Sequence, residues 1–152
     1  ATPRTVKQEE NALSIWADKL GSNSFAKKML ALQKHHITAT LPELVTMDWL
    51  DQNKINYEFQ VSLFGGRSRA GGGTVLDFLV YDGGEAMAWP VQGECWNTLK
   101  TVNMRDREIF MKLMGAEVRG TVIRAVVELW EQDIYDKRPM IFQQALAGRS
   151  LR

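Results

Sequence analysis

Apolar residues recur at helical spacing through the first third of the chain. From Asn11 to Leu32 the set is Leu13, Ile15, Trp16, Leu20, Phe25, Met29, Leu30 and Leu32, a rhythm that predicts helix. Gly21-Ser22-Asn23-Ser24 interrupts it. The pattern therefore predicts two short helices, the second capped by Ser22 or Ser24. Ala1 to Glu10, polar and charged with Pro3 among them, read as a tail. Thr40-Leu41-Pro42-Glu43 reads as a further helix start. Thr40 caps, Pro42 suits the first turn, and Glu43, three residues on, completes a capping box. Leu44, Val45, Met47, Trp49 and Leu50 continue that helix, and Asn53-Lys54-Ile55-Asn56 ends it.

The rhythm then changes to period two. Tyr57-Glu58-Phe59-Gln60-Val61-Ser62-Leu63 alternates strictly, which predicts a half-buried strand. Thr74 to Tyr81 and Ala86 to Gln92 are apolar runs on either side of an Asp82-Gly83-Gly84 turn. Pro90 inside the second run predicts an edge, a bulge or a missing ladder bond, because proline has no N–H to donate. Asn103 to Met114 sets Met104, Ile109, Phe110, Leu113 and Met114 against Arg105, Asp106, Arg107, Glu108 and Lys112. That is an amphipathic helix closed at Gly115. Glu117 to Trp130 is rich in β-branched residues and predicts at least one buried strand, bent at Gly120. Pro139 to Ala147 reads as a last helix, stopped at Gly148. The order predicts an α/β fold, a mixed central sheet flanked by helices. Residues 1–40 form an N-terminal tail and helical extension, and residues 41–152 form the α/β domain.

Composition narrows the class. A chain of 152 residues with 45% hydrophobic and 24% charged residues is an ordinary globular protein with an adequate core. A net charge of +1 leaves nucleic-acid binding to local patches. Cys95 is the single cysteine, so no intramolecular disulfide can form, and a cysteine-based zinc site would need several more ligands. His35 and His36 are adjacent and diverge on any regular element, which argues against a two-histidine metal site. No apolar run is long enough to span a membrane and the N-terminus does not read as a secretory signal, so the expected location is intracellular, cytoplasmic.

Candidate chemistry concentrates between Gly65 and Trp96. Asp77 interrupts an apolar strand, and a carboxylate there is costly unless it finds a partner, a proton or a metal. The next strand ends in Gln92 and Glu94, which a neighbouring pairing would bring toward Asp77. Five glycines surround Arg67 and Arg69 between Gly65 and Gly73. This loop reads either as a phosphate-contacting flap or as a plain hairpin connection. It is not a Walker loop, because no Gly-Lys-Ser/Thr ends it. Lys100 and Arg105 lie nearby in sequence and join Arg67 and Arg69 as nucleic-acid-binding candidates.

In order, these residues resemble the PD-(D/E)xK nuclease superfamily, and within it the branch of the very-short-patch repair endonuclease. The likeness rests on Glu43 early in a helix before a strand, then Asp77-Phe78, then Gln92-Gly93-Glu94-Cys95-Trp96. The Arg105-Asp106 pair and Trp130-Glu131 complete the set. It spans roughly Leu41 to Gly148. The resemblance implies a restriction-endonuclease-like core and magnesium- or manganese-dependent hydrolysis of DNA phosphodiester bonds. It casts Asp77 as the central metal ligand, and Glu43 as the helix acid holding water or a second ion. Gln92 falls at the last position of the triplet, where the family usually has lysine. Such small nucleases are carried by phages and mobile elements.

The chain departs from the pattern at two places. Pro90 falls where the middle acid of the triplet belongs, and Asn97 where the repair branch has a histidine. Two substitutes are available under the resemblance: the main-chain carbonyl of Val91, or a carboxylate moved to Glu94 or Glu43. The competing reading is a lapsed nuclease fold serving binding or assembly in a larger, phage-type complex, with the N-terminal helices contacting a second copy or another protein.

Overall fold

The computed structural model describes residues 4–63, 74–93 and 111–151. Two compact units emerge, Ala1–Asp48 and Trp49–Arg152. The boundary falls inside a helix.

The first unit is helical. Helix α1 (Val6–Leu20) begins inside the segment expected to be a tail. The reason is a capping box: Thr5 Oγ1 accepts from the Gln8 N–H at 3.2 Å, and Gln8 Oε1 accepts from the Thr5 N–H at 2.9 Å. The first turns of α1 are exposed on every side, which is why they look like a tail. Gly21 ends the helix in the left-handed conformation at φ 69, which glycine adopts without steric cost. Helix α2 (Asn23–Gln33) is capped by Ser22, whose Oγ accepts from the Phe25 N–H at 3.2 Å. It packs on α1, with Ala26 and Met29 fully buried. Helix α3 (Leu41–Gln52) starts where the capping pattern places it, and every residue from Leu41 to Met47 is buried. Its buried hydroxyl, Thr46 Oγ1, donates back to Pro42 O at 2.8 Å, as a buried polar group requires.

The second unit carries a mixed sheet. Strands β1 (Tyr57–Leu63), β2 (Thr74–Asp82), β3 (Glu85–Trp89), β5 (Glu117–Val118) and β6 (Thr121–Val126) lie in the order β1-β2-β3-β6-β5. Gly83-Gly84 reverses the chain between β2 and β3, with Gly83 at φ 65. Within this sheet the pairings are antiparallel except β3 with β6, which is parallel. The run expected as one strand from Ala86 to Gln92 is broken at Pro90. Beyond it, β4 (Val91–Gln92) pairs in parallel with β7 (Leu129–Trp130). Pro90 thus stands in a central strand and not at an edge. A bulge also falls between Ala86 and Met87.

The bend expected at Gly120 is a full reversal. Arg119 and Gly120 have φ 53 and 77, and two successive positive φ values make the two-residue turn that suits an antiparallel hairpin. After β7 the chain enters helix α4 (Glu131–Asp136) and then α5 (Met140–Leu146). The helix expected over Asn103–Met114 lies largely outside the described residues; Gly115, expected to close it, has φ 78. One core cluster joins Val61, Leu63, Leu76, Leu79, Ala86, Ala88, Leu113 and Ile123. Phe78, Met87 and Trp89 are fully buried, with Phe78 tilted against Phe59 at 5.2 Å and Tyr57 at 5.8 Å.

Candidate functional site

Strand register positions the site. Phe78 pairs with Trp89 and Leu79 with Ala88, so one step further Asp77 stands level with Pro90. Residues directly opposite in a sheet share a face. The β2–β3 ladder ends there; Pro90 itself faces the other way, its carbonyl taking the Leu129 N–H, so the N–H that proline lacks is missing on the side of β6 and β7. The Asp77 carboxylate continues the β2–β3 ladder: Oδ2 accepts from the Val91 N–H at 2.8 Å. A strand residue sends its N–H and C=O to the same edge. The Val91 carbonyl therefore faces the edge from which Asp77 approaches.

The other flank is built the same way. Each residue of the β3–β4 segment beyond the bulge pairs with one 38 positions later: Ala88 with Val126, Val91 with Leu129, Gln92 with Trp130. Leu129 N–H donates to Pro90 O at 2.8 Å and Val127 N–H to Ala88 O at 2.9 Å, carrying the register through the break. Position 90 is thus level with Glu128. Asp77, Pro90 and Glu128 form one row across three strands, its ends about 10 Å apart at the backbone. Gln92, two residues past Pro90, lies on the same face. Its Nε2 donates to Glu128 Oε2 at 3.1 Å.

Asp77, Gln92 and Glu128 are all half-buried, at the end of a face where Leu79 and Ala88 belong to the core and Val126 packs against it. The strand pair β1–β2 is also irregular here. Its register omits the pair Gln60–Asp77, and Gln60 has φ 56. A left-handed residue other than glycine within a strand is strained, and such strain gathers at functional sites.

The structure thus brings Asp77, Val91 and Gln92 to one place. Glu43 lies in the first unit, where its Oε1 accepts from Thr40 N at 2.8 Å and Thr40 Oγ1 at 3.0 Å. The first is the bond that the capping box predicts for Glu43; in the second the Thr40 hydroxyl donates to the carboxylate, where the box has it accept from the backbone. Glu94, Arg67, Arg69, Lys100 and Arg105 lie outside the described residues. Glu131 accepts from Tyr135 OH at 2.6 Å within α4. Among the described residues no three side chains of the histidine, cysteine, aspartate and glutamate types stand together as a metal site, and no helix is long and apolar enough to cross a membrane.

Glu128 is the residue that the sequence pattern does not single out. It interrupts the apolar run Val126-Val127-Glu128-Leu129 as Asp77 interrupts its own, and that is the signal available. Its level with Pro90 depends on the parallel register and on the upstream bulge, which one-dimensional spacing does not encode. Compared with family models, with curated proteins and with solved structures, the chain matches none of them.

Proposed function

We propose that the chain is a metal-dependent DNA endonuclease with a restriction-endonuclease-like core, its site centred on Asp77. The observation that supports this reading best is the Asp77 carboxylate held by the Val91 N–H beside the ladder break at Pro90, on the face that carries Gln92. Magnesium takes oxygen ligands, and one or two carboxylates with water and substrate phosphate suffice. The Asp77 carboxylate and the Val91 carbonyl are donors of that kind, so the residues fit the ion. Bound there, it would polarise a phosphoryl oxygen of the scissile diester.

The chain's own residues supply the rest. Asp77 is fixed by its bond to the Val91 N–H and presents its carboxylate at the break. Gln92 sits at the edge of the site with an amide that hydrogen-bonds an attacking water but does not take its proton. Water attack forms one P–O bond and breaks one P–O ester bond; the attacking water gives a proton to solvent and the leaving oxygen takes one from solvent to end as the alcohol. Arg67, Arg69, Lys100 and Arg105 are the proposed phosphate contacts on the DNA backbone.

A second reading has an observation of its own. Pro90 occupies the middle of the triplet and offers no side-chain donor, and Glu43 is engaged in capping Thr40. Both favour a lapsed site retained as a binding or assembly module.

Cleavage of plasmid and branched DNA with magnesium or manganese separates the two, with Asp77→Ala alongside. The endonuclease reading expects nicking that requires the metal and disappears in the variant. A folded protein that cuts no substrate and gives no heat on magnesium titration would leave the module reading standing.

A further inference from the structure

The hydrogen bond from Gln92 to Glu128 constrains what Gln92 can do. A glutamine amide has a donor end and an acceptor end. A carboxylate only accepts, so the end of Gln92 that faces Glu128 is the NH2 group, at 3.1 Å. Its carbonyl Oε1 must then point the other way. A lysine at this position would offer donors alone, whereas this glutamine, held as it is, offers an acceptor.

Glu128 is placed for this task by the fold. It stands level with Pro90 through the parallel register and shares a face with Gln92. Both side chains are half-buried, so the bond between them is shielded from full competition by water. Hydrogen bonds to an ionised partner are the stronger kind.

We propose that Glu128 is the positioning residue of the site: it takes the amide N–H of Gln92 and thereby turns Gln92 Oε1 into the acceptor that orients the attacking water. The proposal rests on the endonuclease reading for the role of that water, while the contact itself does not. A water that donates one hydrogen to Oε1 keeps a lone pair free for the phosphorus, an orienting function distinct from proton removal. Glu128 touches neither water nor substrate in this scheme and acts only through Gln92.

The test has two arms on the full chain. In the first, side-chain amide NMR follows Gln92, its signal assigned by its loss in Gln92→Met. The amide should be as rigid as the backbone in the wild type and in Glu128→Gln, whose own carbonyl can accept the same bond, and mobile in Glu128→Ala. Equal mobility in all three would refute the contact, whether or not the protein cuts DNA.

In the second, metal-dependent cleavage is measured for Glu128→Ala, Gln92→Ala and the double variant. Glu128→Ala should lower kcat about tenfold with little change in KM, the scale of one hydrogen bond to a charged group, and Glu128→Gln should restore most of it. The double variant should be no slower than Gln92→Ala alone, because a residue that works only through another adds nothing once that other is gone. Multiplicative losses would reject the positioning role and give Glu128 one of its own. A wild type with no cleavage refutes the endonuclease reading, and the amide measurement then decides the contact alone.

Discussion

At the residue scale, Glu43 and Asp77 differ in what holds them: Glu43 is bound within its own helix start, Asp77 by a neighbouring strand. Glu43 has its work described by Thr40, and Glu43→Ala should cost about 1 kcal/mol of stability in urea unfolding, the usual worth of a helix cap. Glu43→Gln keeps the acceptor oxygen and should keep both stability and any cleavage; lost cleavage with stability retained would show a role beyond capping. Gln60 has the opposite character. Its φ of 56 penalises any side chain with a Cβ, so Gln60→Gly should leave stability unchanged or raise it by up to about 1 kcal/mol, where glycine elsewhere in a strand lowers it. Trp89 is fully buried, and its Nε1 has no hydrogen-bond partner among the described residues. Trp89→Phe removes that unpaired donor and should cost far less than the roughly 3–5 kcal/mol expected of Trp89→Ala. Asp77 was visible in the sequence because a carboxylate in an apolar run is conspicuous. Gln60 was not, since alternation describes side chains and is blind to the backbone angle beneath them.

At the element scale, the pattern of the apolar residues places β1, β2, α2, α3 and α5 close to where they stand; α2 and α5 bury one stripe, while α3 is buried on every side from Leu41 to Met47 and is marked by its capping sequence. The misses share a cause. Helix α1 begins at Val6 because the Thr5–Gln8 capping box organises residues with little apolar content. The run from Glu117 to Trp130 is uniformly rich in β-branched residues, and such a run gives no sign of where it pairs or reverses. Two successive residues, Arg119 and Gly120, make the reversal, and a bulge and Pro90 divide the neighbouring strand. Gly120→Ala should destabilise by about 1 kcal/mol, because φ 77 strains any residue that has a Cβ. A thermal melt that is unmoved would mean the turn relaxes freely. Register was the least legible quantity and the most consequential, since it alone sets Glu128 beside Pro90.

At the scale of the whole molecule, pH gives the broadest test. Burial, reinforced by Asp51, pushes the Tyr57 phenol up to about 12. Burial, reinforced by the hydrogen bond to Glu58, does the same to Tyr81, again to about 12, although Arg119 nearby opposes it. In each case folding favours the neutral phenol. Their contribution is complete below the unfolded value near 10. As pH rises from there toward 12 the unfolded chain releases protons that the folded one retains, so stability falls. Urea midpoints measured upward from about pH 9 should decline across that window, and Tyr81→Phe should flatten part of the decline. A midpoint constant through the window would mean these phenols ionise as they do in free peptide.

Pro90 has a consequence for how this sheet behaves as a mechanical object. A β-ladder is a zipper, and neighbouring strands close along their whole length unless something stops the slider. Proline is such a stop, and it faces β6 and β7, because its carbonyl takes the Leu129 N–H. The missing tooth lies on that side and divides the β3–β6 pairing from β4–β7. Any other residue at position 90 would supply that tooth and let the two short parallel runs close into one.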